Sequence, residues 1–384
     1  MPNNWKTYNL SDALEIKYGK DHKKVQDGTI PIYGTGGIMR YGNQALYDKE
    51  TILIPRKGSL NNIFYLNEPF WSVDTIFWSK INEEVAFPKY LFYNLKVLDF
   101  ASMDVGSAIP SLTTELLKKI EIELPSLQEQ QSIASILSAI DDKIENNLAI
   151  NKTLEEMAMA LYKHWFVDFG PFQDGEFIES ELGLIPKGWE VKKIGEVIET
   201  LGGGTPSTTT KEYWEDGDIL WYSPTDLTRE NSLYSFETAK KITSLGLQKS
   251  SAKIFPANSL LMSSRATVGL LTINTIEACT NQGFITMLPN DKLSVYQIYF
   301  WVKQNMELII SKCNGSTFKE ISKSNFRDLD IIVASDIEKY IEESKDIFEQ
   351  IKNNTSENQS LTQLRDTLLP KLISGTVRLK EFRE

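Results

Sequence analysis

Two short segments gather side chains suited to recognition rather than to bond making. Pro55-Arg56-Lys57-Gly58-Ser59-Leu60-Asn61-Asn62 packs two cations, a flexible glycine and two amides between two strand-like runs. Ser263-Ser264-Arg265-Ala266-Thr267 follows another such run, Ser259 to Met262. These groups donate and accept hydrogen bonds, but they do not make a nucleophile–base pair or a metal-ligand set. The rest of the chain supplies no catalytic constellation either. Gly-x-x-x-x-Gly-Lys-Ser/Thr is absent, so there is no P-loop. Gly202-Gly-Gly-Thr-Pro lacks the lysine and the following helix and reads as a turn whose backbone could approach a phosphate. His22 and His164 are the only histidines and lie far apart, which argues against a histidine metal site or a triad. His164, beside Trp165, reads as a surface or interface residue. Cys279 and Cys313 have no metal-ligand spacing and read as structural. The expectation is a chain that is not an enzyme and has no catalytic residue, metal or cofactor of its own.

The totals narrow the setting. A chain of 384 residues suggests two or three domains, and its 41% hydrophobic, 11% aromatic and 24% charged composition is that of a globular protein. No apolar run approaches the ~20 residues of a membrane span, so no membrane partner is expected. The start, Met-Pro-Asn-Asn-Trp-Lys, lacks a signal-peptide core, and two cysteines cannot build a disulfide framework, so a cytoplasmic location is expected. The net charge of −11 first speaks against a polyanionic partner. However, residues 1–125 and 189–335 each net only −1, and the remaining −9 lies in the segments between and after them. Either globular segment can therefore present a basic face.

Those loops need rigid elements to hold them, and the strongest periodic signal occurs twice. Ile133, Leu137, Ile140, Ile144, Asn147, Asn151, Leu154, Ala158, Leu161 and Trp165 step by four and three, the seam of a coiled coil. Ser344, Ile347, Ile351, Asn354, Asn358, Leu361, Arg365, Leu368 and Leu372 repeat it. The pairs Ile144/Ile351, Asn147/Asn354, Asn151/Asn358 and Leu161/Leu368 share one offset of 207 residues. Asn147, Asn151, Asn354 and Asn358 set the register, because a buried seam amide costs stability unless it meets another polar group.

The globular segments repeat as well. Trp189 echoes Trp5. Short apolar runs cut by glycine predict strands at Ile30–Ile38, Thr51–Pro55, Asn62–Leu66 and Asp74–Trp78 in the first, and at Asp218–Trp221, Ser259–Met262 and Val268–Ile273 in the second. Pro88 to Leu98 and Tyr296 to Ile310 predict helices, and Leu117 to Leu124 and Asp328 to Val333 predict closing strands. Gly106-Ser-Ala-Ile-Pro-Ser-Leu and Gly315-Ser-Thr-Phe-Lys-Glu-Ile fall in equivalent loops, 209 residues apart. The predicted division is a first domain over 1–125, a first long helix over 126–168, an exposed linker over 169–187 rich in Gly, Pro and acid, a second domain over 188–335, a second long helix over 336–375 and a tail over 376–384. Between the landmarks the two domains differ almost everywhere, as one scaffold with two targets would.

Each seam needs a partner, and the nearest is the other copy. About 37 residues of helix span on the order of 55 Å. A parallel pair would force the linker to run that whole length, so an antiparallel pair is expected. Such a rod could measure distance along B-DNA, whose repeat is about 34 Å.

At this point the residues carry a resemblance. Pro186-Lys-Gly-Trp-Glu-Val, Gly203-Gly-Thr-Pro-Ser, Asp218-Ile-Leu-Trp-Tyr-Ser-Pro-Thr-Asp-Leu, Leu124-Pro-Ser-Leu-Gln-Glu-Gln-Gln, Ile136-Leu-Ser-Ala-Ile-Asp-Asp-Lys-Ile-Glu-Asn-Asn and Leu368-Leu-Pro-Lys-Leu-Ile-Ser-Gly, in this duplicated order, resemble the specificity (S) subunit of type I restriction–modification systems. The likeness spans essentially the full chain. One departure is Val333-Ala-Ser-Asp-Ile-Glu-Lys, which lacks the Pro-x-x-x-Glu-Gln form of the first copy and bears on where the second helix starts. The resemblance implies an α+β fold: two pseudo-twofold-related α/β target-recognition domains joined by two long helices in an antiparallel coiled coil. It implies a non-catalytic subunit that reads one half of a bipartite double-stranded DNA target with each domain. The helices would set the spacing and dock two methyltransferase (M) subunits, with restriction/translocase (R) subunits joining through the complex. S-adenosylmethionine, ATP and Mg would then belong to those partners. The Asn/Asp-Pro-Pro-Tyr element of adenine methyltransferases is missing here, Ser223-Pro-Thr-Asp departing from it at two positions. The competing readings are a coiled-coil scaffold for protein or RNA, and a stand-alone DNA-modifying enzyme.

On the DNA reading, base edges would be met by side chains on loops that reach the major groove. In the first domain these are Arg56, Lys57, Ser59, Asn61 and Asn62, with Thr35, Arg40 and Tyr41 on a second glycine-rich loop. In the second they are Ser264, Arg265 and Thr267, with Asn281, Gln282, Thr205, Ser207 and Lys211. Ser107, Ser316 and Lys319, in the repeated loops, are expected at the DNA backbone.

Overall fold

The computed structural model describes residues 4–104, 110–230, 232–315 and 319–382. They fall into two compact units, residues 1–144 with 360–384, and residues 145–359. Each unit therefore takes part of both long helices, Leu127–Phe166 and Glu338–Ile373.

The first unit has a four-stranded antiparallel sheet in the order Leu14–Tyr18, Ile76–Ile81, Thr51–Pro55, Phe64–Leu66. A three-stranded sheet runs Gly37–Gly42, Asp27–Gly34, Trp71–Ser72, its last pair parallel. Lys6–Asn9 pairs with Glu121–Leu124 and ties the chain's entry to its exit. The helix Pro88–Lys96 buries Tyr90, Leu91, Tyr93 and Leu95, and the same core takes in Ile133, Leu137, Leu369 and Leu372 from the long helices.

The second unit repeats this plan. Its main sheet is ordered Glu199–Leu201, Phe284–Leu288, Leu260–Ser263, Leu271–Asn274, with Tyr234–Ser235 added at the edge. Lys241–Ile242, Ile219–Tyr222 and Ala278–Thr280 form the smaller sheet, again with one parallel pair. Glu190–Lys193 pairs with Asp330–Val333. Val295–Gln304 is the counterpart helix, and its core joins Ala158, Tyr162 and Trp165 to Tyr340, Phe348 and Ile351.

Three expectations are corrected. Leu117 does not begin the closing strand. It lies in the helix Thr114–Lys118, started by the Thr113 hydroxyl accepting from the Leu116 N–H at 3.2 Å, and the strand is Glu121–Leu124. Likewise Ser322 caps the helix Lys323–Arg327, and the strand begins only at Asp330. A local cap outweighs alternation in the first, and in the second Asp328 is spent as the helix's C-cap. The connection after the first long helix is not a plain exposed linker either. Phe177–Ser180 and Gly183–Pro186 form a hairpin, and Phe169 and Phe172 lie edge-on to Trp189 at 5.5 and 4.8 Å. Its aromatics pack on Trp189, while Gly183, at φ +95°, stands at the turn of the hairpin.

Within each unit the two long helices run antiparallel. In the first unit Arg365 Nη1 donates to Asp141 Oδ1 at 3.0 Å, and Tyr93 Oη donates to the other oxygen at 2.6 Å. In the second, Asn147 Nδ2 donates to Asn358 Oδ1 at 2.9 Å and to Glu357 at 2.8 Å, while Asn354 Nδ2 donates to Asn151 Oδ1 at 2.8 Å. Trp165 Nε1 donates to Glu343 farther along at 3.2 Å. The crosswise pairs Asn147–Asn358 and Asn151–Asn354 are the ones two repeats make when they lie head to tail. None of the nineteen seam positions read from the sequence is exposed. Each buried amide exchanges water for another amide, a net gain of about 1 kcal/mol when paired and a cost of about 1–3 kcal/mol when not.

The Pro-x-x-x-Glu-Gln stretch has a mechanical role. Gln130, 1% exposed, accepts from the Phe87 N–H at 2.8 Å and donates to the carbonyls of Val85 and Pro125 at 3.1 and 3.0 Å. Glu129, also 1% exposed, is held in a fork by Arg378, whose Nε and Nη2 lie 3.0 and 2.8 Å from its two oxygens. The second long helix lacks this motif and starts at Glu338, whose N–H donates to the Asp336 side chain at 3.2 Å.

Candidate nucleic-acid interface

In the first unit two of the singled-out loops meet. The turn after Asp27–Gly34 presents Thr35, and the segment after Thr51–Pro55 presents Arg56 to Asn62. Asn62 Nδ2 donates to the Thr35 carbonyl at 2.6 Å. Gly58 takes φ +86°, which a side chain disfavours, and its N–H donates to Pro110 at 3.0 Å. Arg56 is half-buried, its guanidinium 5.5 Å above the Tyr18 ring and its Nη1 3.3 Å from the Asp74 carbonyl. Lys57 and Ser59 are exposed, as is Tyr41 on the neighbouring strand. Two candidates have other work. Arg40 spends its guanidinium on the carbonyls of His22 and Val25, at 2.8 and 2.7 Å, and on Asp27 at 3.0 Å. Asn61 donates to Asp99 and accepts from the Ala101 N–H, both at 3.0 Å, and so braces the turn Phe100–Met103. Ser107 lies outside the described residues.

In the second unit four loops converge. The Ser264 N–H donates to the Gly283 carbonyl at 2.8 Å, and the Ser264 carbonyl accepts from Ile321 at 3.1 Å. Arg265 bridges Glu320 in antiparallel fashion, and its Nε donates to Glu320 Oε1 at 2.7 Å. Thr205 Oγ1 donates to Gln282 Oε1 at 2.7 Å, and Asn281 Oδ1 accepts from the Gly283 N–H at 2.8 Å. Gly203 packs so closely on the Thr280 carbonyl that a Cβ would collide with it. The Gly202–Gly204 stretch, expected as a turn, instead runs irregularly along the Asn281 loop, the Gly204 N–H donating to the Thr280 carbonyl at 2.9 Å and Trp221 Nε1 to the Gly204 carbonyl at 2.9 Å. Arg265, Thr267, Thr205, Gln282, Ser207, Lys211 and Lys319 are exposed, Asn281 is half-buried and Ser264 is buried. Ser207 turns to Thr209 at 2.9 Å, and Lys211 pairs with Glu215 at 3.6 Å. Ser316 lies outside the described residues.

Matching hydrogen bonds align the two units. Leu112 donates to the Arg56 carbonyl at 2.9 Å as Ile321 does to that of Ser264, and the bridge Lys57–Ser111 matches Arg265–Glu320. Arg265 is therefore the counterpart of Lys57, and Arg56 that of the buried Ser264. The sequence alone sets the two arginines in parallel, one residue out. It also gives no prominence to Tyr18, over whose ring Arg56 lies, or to Glu320, which accepts from Arg265. Glu320 has a signal in the sequence, since it stands in the repeated loop that begins at Gly315.

The arrangement offers hydrogen-bonding edges on braced loops. Neither cysteine is activated: Cys279 is fully buried, which pushes its thiol up to about 12, and burial also raises that of Cys313. Among the described residues no group of three or more His, Cys, Asp or Glu could hold a metal ion, and no helix is long and apolar enough to cross a membrane.

Comparison with known proteins is in line with this geometry. The family model described as the type I restriction modification DNA specificity domain matches twice, over residues 2–156 and 186–366. The chain is 28% identical to the type I restriction enzyme MjaIX specificity subunit of Methanocaldococcus jannaschii, over 100% of this chain and 95% of that one. It is also 28% identical to the HindI specificity subunit of Haemophilus influenzae, over 77% of this chain and 79% of that one. Its fold is similar to the crystal structure of a type I restriction–modification S subunit from M. genitalium, with TM-score 0.63 and 16% identity over 97% of each chain. Two copies of one scaffold, two sets of braced loops and two family matches that together span most of the chain lead to one conclusion: this protein belongs to the type I restriction modification DNA specificity family.

Proposed function

We propose that the chain reads a split DNA target for a type I restriction–modification complex, each unit reading one half through its braced loops. The observation that carries this reading is the unlikeness of the two units at matched positions. Arg56-Lys57 faces Ser111 in one, and Ser264-Arg265 faces Glu320 in the other. One scaffold with two different donor and acceptor sets suits two different half-sites. Lys57, Ser59, Asn62 and Thr35 would meet one half, and Arg265, Thr267, Thr205, Asn281 and Gln282 the other. Arg40 and Asn61 would act through the loops they brace, and Lys211 and Lys319 at phosphates.

In this reading the long helices set the gap between half-sites and dock two methyltransferase subunits. Restriction/translocase subunits join through the complex. The chain itself catalyses nothing, works in the cytoplasm, and leaves S-adenosylmethionine, ATP and Mg to its partners. The names of its relatives, specificity subunits of type I enzymes, support this division of labour.

Sequencing that detects methylated bases, on the host with and without this gene, tests the reading. A split motif with a fixed gap should vanish on deletion. An unchanged methylome would refute it. Methyl transfer by the purified chain alone would refute the non-catalytic role.

A further inference from the structure

We propose that Glu320 is a positioning residue that presents the terminal nitrogens of Arg265 to a guanine of the second half-site. This rests on the DNA-reading role proposed above. The backbone beneath the pair is fixed from three sides. Arg265 and Glu320 form an antiparallel bridge, Ser264 is tied to Gly283 and Ile321, and Glu320 exchanges backbone hydrogen bonds with Asn314 at 2.8 and 3.0 Å. Ala266, at φ +58°, turns the chain immediately after Arg265.

The carboxylate engages Nε, at 2.7 Å. A guanidinium has five N–H donors in a rigid plane. With Nε held from one side, the Nη1/Nη2 edge faces away, and among the described residues neither terminal nitrogen makes a hydrogen bond. That edge has the spacing of guanine O6 and N7 in the major groove. Both side chains remain about half exposed, at 46% and 47%. A pair so open to water adds little to stability, so what it supplies is orientation. It also cancels the charge of Arg265. Such a pair sharpens the choice of base while adding little general attraction to phosphates.

The first unit differs at this rung. Lys57 stands where Arg265 does, and Ser111, uncharged, stands where Glu320 does. An ammonium lacks the rigid planar fork of a guanidinium, so Lys57 has no fork for a neighbouring carboxylate to aim.

The test uses the full chain in complex with its methyltransferase subunits and a duplex library with a randomised segment, sequencing the bound fraction. The wild type should select guanine at one position of the second half-site. Arg265→Lys should weaken that preference by roughly 5- to 150-fold. Glu320→Ala should weaken the same position while leaving or raising binding to unrelated DNA, and Glu320→Gln, which keeps an acceptor oxygen, should retain part of the preference. Selection of the first half-site is the control for folding and should be unchanged throughout. The proposal is overturned if Glu320→Ala leaves the preference intact, relaxes several positions together, or lowers affinity for all sequences alike. If Arg265→Lys alters no position while a split target is still selected, the Glu320 proposal fails and the DNA-reading role stands. If the wild type selects no split target, the DNA-reading role itself fails.

Discussion

Replacing Arg378 by methionine strips the counter-charge from a carboxylate that cannot reach water. Glu129 is 1% exposed, and both its oxygens lie within 3.0 Å of the guanidinium. At such a distance the gross attraction is about 5 kcal/mol for an effective dielectric of 20. Desolvation of both ions cancels much of this, so the pair's net contribution is small. Breaking it from one side is another matter, because the buried charge stays behind, and Arg378→Met should cost about 3–5 kcal/mol. Glu129→Gln with Arg378→Met removes both charges at nearly constant volume and should lie within about 1 kcal/mol of wild type. Glu129→Gln alone also strands a charge, so the coupling from the double-mutant cycle is then at least about 2 kcal/mol. Urea unfolding followed by circular dichroism reads the totals, and hydrogen exchange over residues 127–144 reads the local effect. Additive single and double changes, or a loss under about 1 kcal/mol for Arg378→Met, would refute the reasoning.

Other consequences are simpler to state. Asn147→Leu should destabilise by about 1–3 kcal/mol, because it removes the hydrogen bonds that Asn147 donates to Asn358 and Glu357. Adding Asn358→Leu should recover most of that in the same urea titration. Cys279 should resist alkylation in the native protein at about pH 8 and react only on unfolding, since burial raises its thiol to about 12. The same shift works against stability at high pH: the unfolded chain releases this proton above about pH 8.5 while the folded chain keeps it, so stability falls as pH rises from there towards 12. Thermal melts across that range, with Cys279→Ala as the comparison, check the sign.

The helices are the most legible part of the chain. Their seams are set by residues three and four apart, so the burial of Ile133 through Trp165 follows from local order alone. The four asparagines add a long-range statement, because a buried amide demands a partner and the repeat supplies one. The loops are legible only in outline. Arg40 looks like any cation on a glycine-rich turn until the carbonyls of His22 and Val25 are seen to take its donors. The one-residue difference between Arg56 and Arg265 depends on backbone bridges to Ser111 and Glu320, which connect segments more than fifty residues apart. The short helix capped by Thr113 likewise overlaps the start of a run that alternates as strands do.

The central claim is that one chain carries two independent readers. It is tested most directly by mapping methylated bases in strains carrying Lys57→Ala with Arg56→Ala in one case and Arg265→Ala in the other. The expected result is a split motif relaxed in one half by the first change and in the opposite half by the second. Discrimination at each affected base pair should fall by about 1–3 kcal/mol. Relaxation of both halves by either change, or of the same half by both, would contradict it.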